Sequence, residues 1–304
     1  MVERTPILDI ITHVLLLIGA FITLLPFIIV TIAATHSLQE VNQVPMPLWP
    51  GHDFLANLTE AWTRADLGTM LLNSLIFGVG LAFGKVIIAA MSAYSLVYFG
   101  YRGRTVIFWA IFITLMLPLE VRIVPTYAVA ANALSPYQAI LDGLGISSVI
   151  NMLTGTTVNL QWGLLNSYPG LILPFIATAT GTFLYRQHFM TLPEELVEAA
   201  KMDGAGALRF FWDVLLPLSR NNMAALFTIM FVWGWNQYLW PLLITTEPSH
   251  MVSAVGLHAL IPGQNGIPEW NLAMAGTLIV MLPPLILVIF MQRFFVRGLV
   301  ATEK

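Results

Sequence analysis

Lys85 and Arg122 are the residues whose placement first demands an explanation, because each stands inside a long apolar stretch. An ionised side chain at the centre of a membrane-spanning helix costs about 2.5–3.5 kcal/mol on insertion scales, so it is paired, snorkels or has a task. Lys85 is about 14 residues into its stretch, or about 21 Å along a helix, and Arg122 is about 16 residues into the next, or about 24 Å. Cations at such depths suit a phosphate-bearing substrate, which takes charge-assisted hydrogen bonds along its path. Two structural roles compete with that reading: Arg122 reaching the outer headgroups, and Lys85 pairing with an acid or carbonyl of a partner subunit. Glu120 does not face Arg122 on a regular helix, since i,i+2 side chains diverge, unless Pro118 or Pro125 breaks that helix. A second polar group, Asn236-Gln237, lies between Trp235 and Tyr238, with Trp240 beyond. Amides in hydrocarbon face other helices or a water-filled cavity. Beside aromatic rings they suit a polyol, with rings on its C–H faces and amides on its hydroxyls; helix packing accounts for them equally well.

Several other chemistries are excluded. The chain has no cysteine, so disulfides, Cys-ligated zinc and thiol catalysis are absent. Its six histidines lack any His-Glu-x-x-His spacing and read as loop or interfacial residues, not as metal ligands. No Gly-x-x-x-x-Gly-Lys-Ser/Thr run occurs, so nucleotide chemistry belongs elsewhere. A membrane-embedded enzyme would need Asp, His or Ser clustered at one membrane face, and no such cluster is legible. The chain is not expected to be an enzyme.

One polar segment carries a pattern. It runs Thr191-Leu192-Pro193-Glu194-Glu195-Leu196-Val197-Glu198-Ala199-Ala200-Lys201-Met202-Asp203-Gly204-Ala205 and continues to Leu215-Leu216-Pro217. Thr191 and Glu194 have capping-box spacing, with Pro193 tolerated in a first turn. Acids at 194 and 195 complement a helix N-terminus, and Gly204 is placed to end the helix in a left-handed turn. A second short helix is expected from about Ala207 to Leu216, ended or kinked by Pro217. The Ala199-Ala200 pair leaves a low surface on which another protein can pack.

These residues must be positioned by membrane helices. Of 304 residues, 58% are apolar and 10% charged, with a net charge of −3 and a mean hydropathy of +0.80. A soluble globule carries roughly 25% charged residues. No basic run exists to meet nucleic acid. Six stretches reach the ~20 apolar residues that a span needs: approximately 10–34, 71–99, 106–131, 168–186, 222–245 and 272–291. The first is too long for the apolar region of a signal peptide and reads as a retained span. With the N-terminus inside, the cytoplasmic pieces hold Arg4, Arg102, Arg104, Arg186, Lys201, Arg209, Arg220, Arg293, Arg297 and Lys304. The outer loops, approximately 35–70, 132–167 and 246–271, hold only Arg64, while Arg122 lies toward the outer end of the third stretch and Lys85 within the second. The positive-inside bias therefore puts both termini in the cytoplasm. Trp49, Trp62, Trp162 and Trp270 fall in or beside the outer loops, as interfacial tryptophans do. The apolar piece at Ile146–Leu153 is too short to span. Gly78, Gly80 and Gly84 give the second span a small-residue face, and Pro283-Pro284 are expected to kink the last. The reading is a single all-α integral membrane domain over 1–304, multi-pass in the cell inner membrane.

Glu198-Ala199-Ala200, then Gly204, Val214 and Leu216-Pro217, at their spacing and in that inter-span loop, resemble the conserved loop of ABC importer permeases. Val214 stands where the family more often has isoleucine. The segments 112–118 with Glu120-Val121-Arg122, 189–193, Gly234 to Pro241, and Gln292 to Val300 extend the resemblance. Together they point to the maltose-type carbohydrate permeases, and among them to the second permease subunits of sn-glycerol-3-phosphate importers. The likeness covers nearly the whole chain except roughly 135–165, where the outer loop looks longer than usual for that subunit. It implies that 191–217 forms a cytoplasmic coupling helix between spans four and five, with Glu198, Ala199, Ala200, Gly204 and Pro217 as coupling residues. Implied partners are a second homologous permease, two copies of a cytoplasmic ATPase that bind ATP and Mg, and an extracytoplasmic substrate-binding protein. No cofactor of this chain itself is implied. The implied cargo is sn-glycerol 3-phosphate or its diesters, with a sugar or polyol such as a disaccharide as the alternative. Arg122, Glu120, Lys85, Trp235, Asn236 and Gln237 are the pathway candidates.

Overall fold

The computed structural model describes residues 6–177, 179–261 and 266–300, and among these no strand occurs. Arg4 and Lys304, used above for orientation, lie outside the described residues; of Arg293 and Arg297 only the backbone is described. In chain order the helices are α1 (Pro6–Ala33), α2 (Leu38–Val41), α3 (Phe54–Arg64), α4 (Leu67–Tyr98), α5 (Arg104–Ile113), α6 (Leu119–Ala131), α7 (Ser135–Gly143), α8 (Ile146–Thr154) and α9 (Tyr168–Ile172). They continue with α10 (Ala179–Met190), α11 (Glu195–Met202), α12 (Ala207–Phe210), α13 (Leu216–Leu218), α14 (Arg220–Trp235), α15 (Leu239–Ile244), α16 (Ser253–Leu260) and α17 (Trp270–Val300). Chain contacts divide the molecule into two compact units, Met1–Leu71 with Ser253–Leu282, and Leu72–Val252 with Pro283–Lys304.

Three helices are long and apolar enough to cross a membrane by themselves: Ile7–Ala33, Leu67–Tyr98 and Trp270–Gln292. Two bent pairs bring the total to as many as five: Arg104–Met116 with Glu120–Ala131, at 105°, and Ala207–Leu218 with Arg220–Trp235, at 76°. The first pair interrupts the stretch 106–131; 168–186 and 222–245 are also interrupted, between α9 and α10 and between α14 and α15, and a proline stands near each break. Pro118 has no N–H for the Thr114 carbonyl; a 3₁₀ turn over Thr114–Met116 forms instead, with the Leu117 N–H on Thr114 O at 3.4 Å. Pro174 likewise leaves the Gly170 carbonyl without its helical donor, and the buried Trp240 indole N–H takes it at 3.3 Å. Non-helical backbone at membrane depth is tolerated only where such donors replace the lost bond. The third break falls at Asn236–Tyr238, ahead of Pro241. In contrast α17 runs as one helix through Pro283 and Pro284.

In the first unit, α1 is apolar beyond its first two turns and exposed from Ile7 to Ile29, as a helix that faces lipid or another chain must be, and only its last turn is covered, with Ala33 buried. The connection after it is polar and tied down. Ser37 and Glu40 form a reciprocal capping box on α2. The Asn57 amide donates to the carbonyls of Ala34 (2.9 Å) and His36 (2.8 Å), and its Oδ1 accepts from Asn271 at 2.8 Å. Arg64 pairs with Glu269.

In the second unit, the expected small-residue face of α4 is where neighbours approach. A Cβ on Gly234 of α14 would lie 2.8 Å from Leu81 Cδ2 and 3.5 Å from Gly78 Cα, so α14 approaches α4 closely with a glycine on each helix and the Leu81 side chain beside them. On the loops, Asn73 donates to the carbonyls of Ser249 and Met251, both at 2.9 Å, and accepts from the Tyr168 hydroxyl at 2.7 Å. Asn166, at φ 51, accepts from the backbone N–H groups of Thr246 (2.7 Å) and Glu247 (3.1 Å).

Candidate functional site: a dicationic cavity and an exposed helical hairpin

The break at Pro118 has a chemical consequence. Turning the chain through 105° places Arg122, in the first turns of α6, beside α4 and its Lys85. Both residues line one cavity of about 230 Å³, together with Thr114, Thr180, Phe175, Met230 and Trp233. Lys85 is only 6% exposed, and its ammonium sits 4.0 Å from the centroid of the Trp233 ring. An indole face partly compensates a buried cation without neutralising it. Among the described residues neither Lys85 nor Arg122 has an ion pair, and no carboxylate lines the cavity. Two cations, two hydroxyls and an aromatic face are a donor set for a small anion that also carries hydroxyls.

The other pathway candidates lie elsewhere. Glu120 is exposed and does not line this cavity. Trp235 is buried against Phe231, with ring centroids 5.5 Å apart. Asn236 caps the C-terminus of α14, its amide donating to the Val232 carbonyl at 2.9 Å. Gln237 is half-buried in the break that follows. The indole on the cavity is that of Trp233, two residues from the one singled out in the sequence, with Phe175 as a second aromatic. Counting four residues back from Gln237 gives Trp233, but only the packing of α14 against α4 shows which indole meets Lys85.

The hairpin at 191–217 is built as the glycine suggested. The helix α11 ends at Met202, and Gly204 adopts φ +72. The Gly204 N–H donates to Lys201 O at 3.0 Å and the Ala205 N–H to Ala200 O at 2.9 Å. That pair of bonds is a Schellman motif, which closes the last free carbonyls of the helix. One detail differs from expectation. No Thr191–Glu194 capping box forms, because the Thr191 hydroxyl donates to His188 O (2.7 Å) in the last turn of α10 and Glu194 itself occupies the N-cap of α11. Of the two outcomes expected at Pro217, an end or a kink, the helix from Ala207 takes the second and runs on to Leu218. It widens into a π turn over Phe211–Leu215 just ahead of the proline, whose missing N–H leaves Asp213 O unbonded in α geometry. The 76° bend then follows at Ser219, whose hydroxyl donates to Leu215 O at 2.7 Å.

Glu198 and Ala199 are exposed while Ala200 is buried, so one face of α11 packs inward and the other is free. The inward face meets Tyr94 and Tyr98 of α4, and the Tyr94 hydroxyl donates to Ala207 O at 2.9 Å. Outward stand Met202 (84% exposed), Leu208, Trp212 and Leu218. Exposed apolar side chains on and beside such a hairpin are available for contact with another chain or with lipid.

A family model for binding-protein-dependent transport system inner membrane components matches residues 85–300. The chain belongs to that family. The matched region opens at Lys85 and takes in both the cavity and the hairpin. The permease is 44% identical over 310 residues to the sn-glycerol-3-phosphate transport system permease protein UgpE of Yersinia enterocolitica, and 43% identical to that of Escherichia coli O1:K1; each comparison covers 100% of both chains. Among solved structures it resembles a bacterial ABC transporter involved in the import of the acidic polysaccharide alginate, with a TM-score of 0.70 and 21% identity over 97% of this chain and 100% of that one. A bacterial alginate ABC transporter in complex with an alginate pentasaccharide-bound periplasmic protein gives 0.59 and 16%, over 93% of each chain. The fold is that of an ABC importer permease, and the chain is a membrane protein of a transport system.

Proposed function

We propose that this permease forms half of the membrane pathway of an ATP-driven importer for sn-glycerol 3-phosphate, with its diesters as related cargo. The observation that carries the cargo assignment is the shared cavity of Lys85 and Arg122, two cations without a carboxylate between them. A phosphate monoester supplies the missing charge, and the glycerol hydroxyls find Thr114, Thr180 and the Trp233 face. The names of the full-length relatives support the same cargo.

In this reading the chain crosses the inner membrane six times with both termini in the cytoplasm. Spans three, four and five are each broken, and the hairpin 191–217 projects into the cytoplasm. There α11 docks into a cleft on an ATPase subunit. Glu198 and Gly204 fix its shape, Ala199 offers close approach, and Met202 and Leu208 supply apolar contact. Two ATPase copies bind ATP and Mg, a second permease completes the pathway, and a periplasmic protein delivers the cargo. The exposure of α1 from Ile7 to Ile29 supports a neighbour or lipid on that side.

The test is ATPase activity of the reconstituted complex with its binding protein, against glycerol 3-phosphate, a glycerophosphodiester, maltose and trehalose. Stimulation by the phosphorylated compounds alone is expected. Stimulation by the disaccharides instead would replace the cargo assignment with a sugar.

A further inference from the structure

A second basic cavity lies apart from the pathway candidates. It holds about 180 Å³ and is lined by Leu96 and Val97 of α4, Arg104, Thr105 and Phe108 of α5, and Arg186 with Met190 of α10. Its two arginines have little to do inside the chain. Among the described residues neither forms an ion pair, and no carboxylate lines the cavity. Among the described residues Arg104 makes one side-chain hydrogen bond, from Nη1 to Val97 O, at the 3.5 Å limit of such contacts. It also begins α5, where a cation opposes the helix dipole and contributes nothing to helix stability. Arg186 sets its guanidinium carbon 4.3 Å from the centroid of the Phe108 ring, and among the described residues its N–H groups have no hydrogen-bond partner. Each guanidinium offers five donors in a fork that matches phosphate oxygens.

The surroundings are those of a lipid. Beyond the arginines and Thr105, the walls are aliphatic and aromatic. Along α5 from the cavity, Val106, Ile107, Trp109 and Ile113 are all exposed, a strip on which acyl chains can lie, with a tryptophan near the level where such rings mark the membrane interface. A cavity this small, against the ~300 Å³ and more of a drug-sized pocket, takes a headgroup phosphate and leaves the chains outside.

We infer that Arg104 and Arg186 together hold the phosphate of an anionic phospholipid. Its assignment to the cytoplasmic leaflet rests on the orientation proposed above; the binding itself does not. Basic pockets between membrane helices on that side are a recurrent lipid-recognition device. Lipid and free phosphate share the chemistry, and the lipid is favoured by the exposed apolar strip.

The test is native mass spectrometry of the assembled complex in detergent, supplied with equal phosphatidylglycerol and phosphatidylcholine. The wild type is expected to retain phosphatidylglycerol in preference, and Arg104→Gln with Arg186→Gln to lose that preference by about ten-fold, the factor of one charge-assisted hydrogen bond. Arg104→Lys with Arg186→Lys keeps the charge and should recover part of it. Arg209→Gln, at an exposed ion pair with Asp213, should retain all of it. An unchanged preference in the double Gln variant overturns the site, as does equal retention of both lipids by the wild type. Displacement of phosphatidylglycerol by millimolar inorganic phosphate overturns the lipid in favour of a free anion. The readout is blind to sidedness, so a failed orientation, seen by labelling from one side of the membrane, remains a separate result.

Discussion

At the scale of single residues, charge without a partner and carbonyls without a donor carry the main consequences. Arg122→Gln removes a guanidinium from a cavity it shares with Lys85. It is expected to raise the glycerol 3-phosphate concentration for half-maximal transport by about ten-fold or more, with Arg122→Lys intermediate; uptake kinetics in vesicles check both, and wild-type kinetics would make Arg122 an interfacial anchor only. Gly170 shows a different constraint. A Cβ there would overlap the Leu164 carbonyl oxygen, which is backbone and cannot move aside. Gly170→Ala should therefore destabilise the protein by about 1–3 kcal/mol or more, read as a lowered melting temperature in detergent. Trp240→Phe keeps the ring but strands the Gly170 carbonyl, at a cost of about 1–3 kcal/mol.

At the scale of elements, the hairpin around Gly204 joins local chemistry to the proposed coupling. The position has φ +72, and a Cβ placed there would meet nothing within 4 Å, so substitution strains the backbone without causing a clash. Gly204→Ala should cost about 1 kcal/mol, while Gly204→Asp adds a charge to the proposed docking face. The Asp variant is expected to reach the membrane and to hydrolyse ATP without transport, measured as uptake and hydrolysis in the same vesicles; unchanged transport would remove Gly204 from the coupling residues. The cap on α2 gives a pH-dependent case. The Ser37 backbone N–H, then its hydroxyl, then His36 hold the Glu40 carboxylate below its ordinary range. A lowered folded-state value means the cap is complete above the usual carboxylate range and is lost as pH falls through Glu40's own value. Ser37→Ala should raise that value, followed by carboxyl NMR titration.

At the scale of the whole molecule, the decisive prediction is sidedness. The absence of native cysteine makes single-cysteine labelling clean. Lys201→Cys is expected to react with an impermeant maleimide only from the cytoplasmic side. Met152→Cys, on the 90% exposed position of α8, should react only from outside. The reverse pattern would invert the proposed topology. Membrane class was legible because composition is a sum over many residues, insensitive to local detail. The hairpin was legible for the opposite reason: a left-handed glycine after Ala199-Ala200 and Lys201 is dictated by local sterics.

What the sequence alone determined, then, is the apolar character of the helices, the Gly204 turn, the small-residue face of α4 and the family resemblance that the 85–300 match bears out. Tertiary structure decided the rest. Pro118, Pro174 and Pro241 announce that donors are missing, but whether a helix kinks, ends or borrows a donor depends on what packs beside it; the Trp240 indole on Gly170 is 70 residues away. The same holds for the cavity. Lys85, Arg122 and Trp233 come from three helices, and only the 105° turn at Pro118 and the packing of α14 on α4 bring their side chains to one place. Periodicity fixes which residues share a helix face; it cannot fix which faces meet.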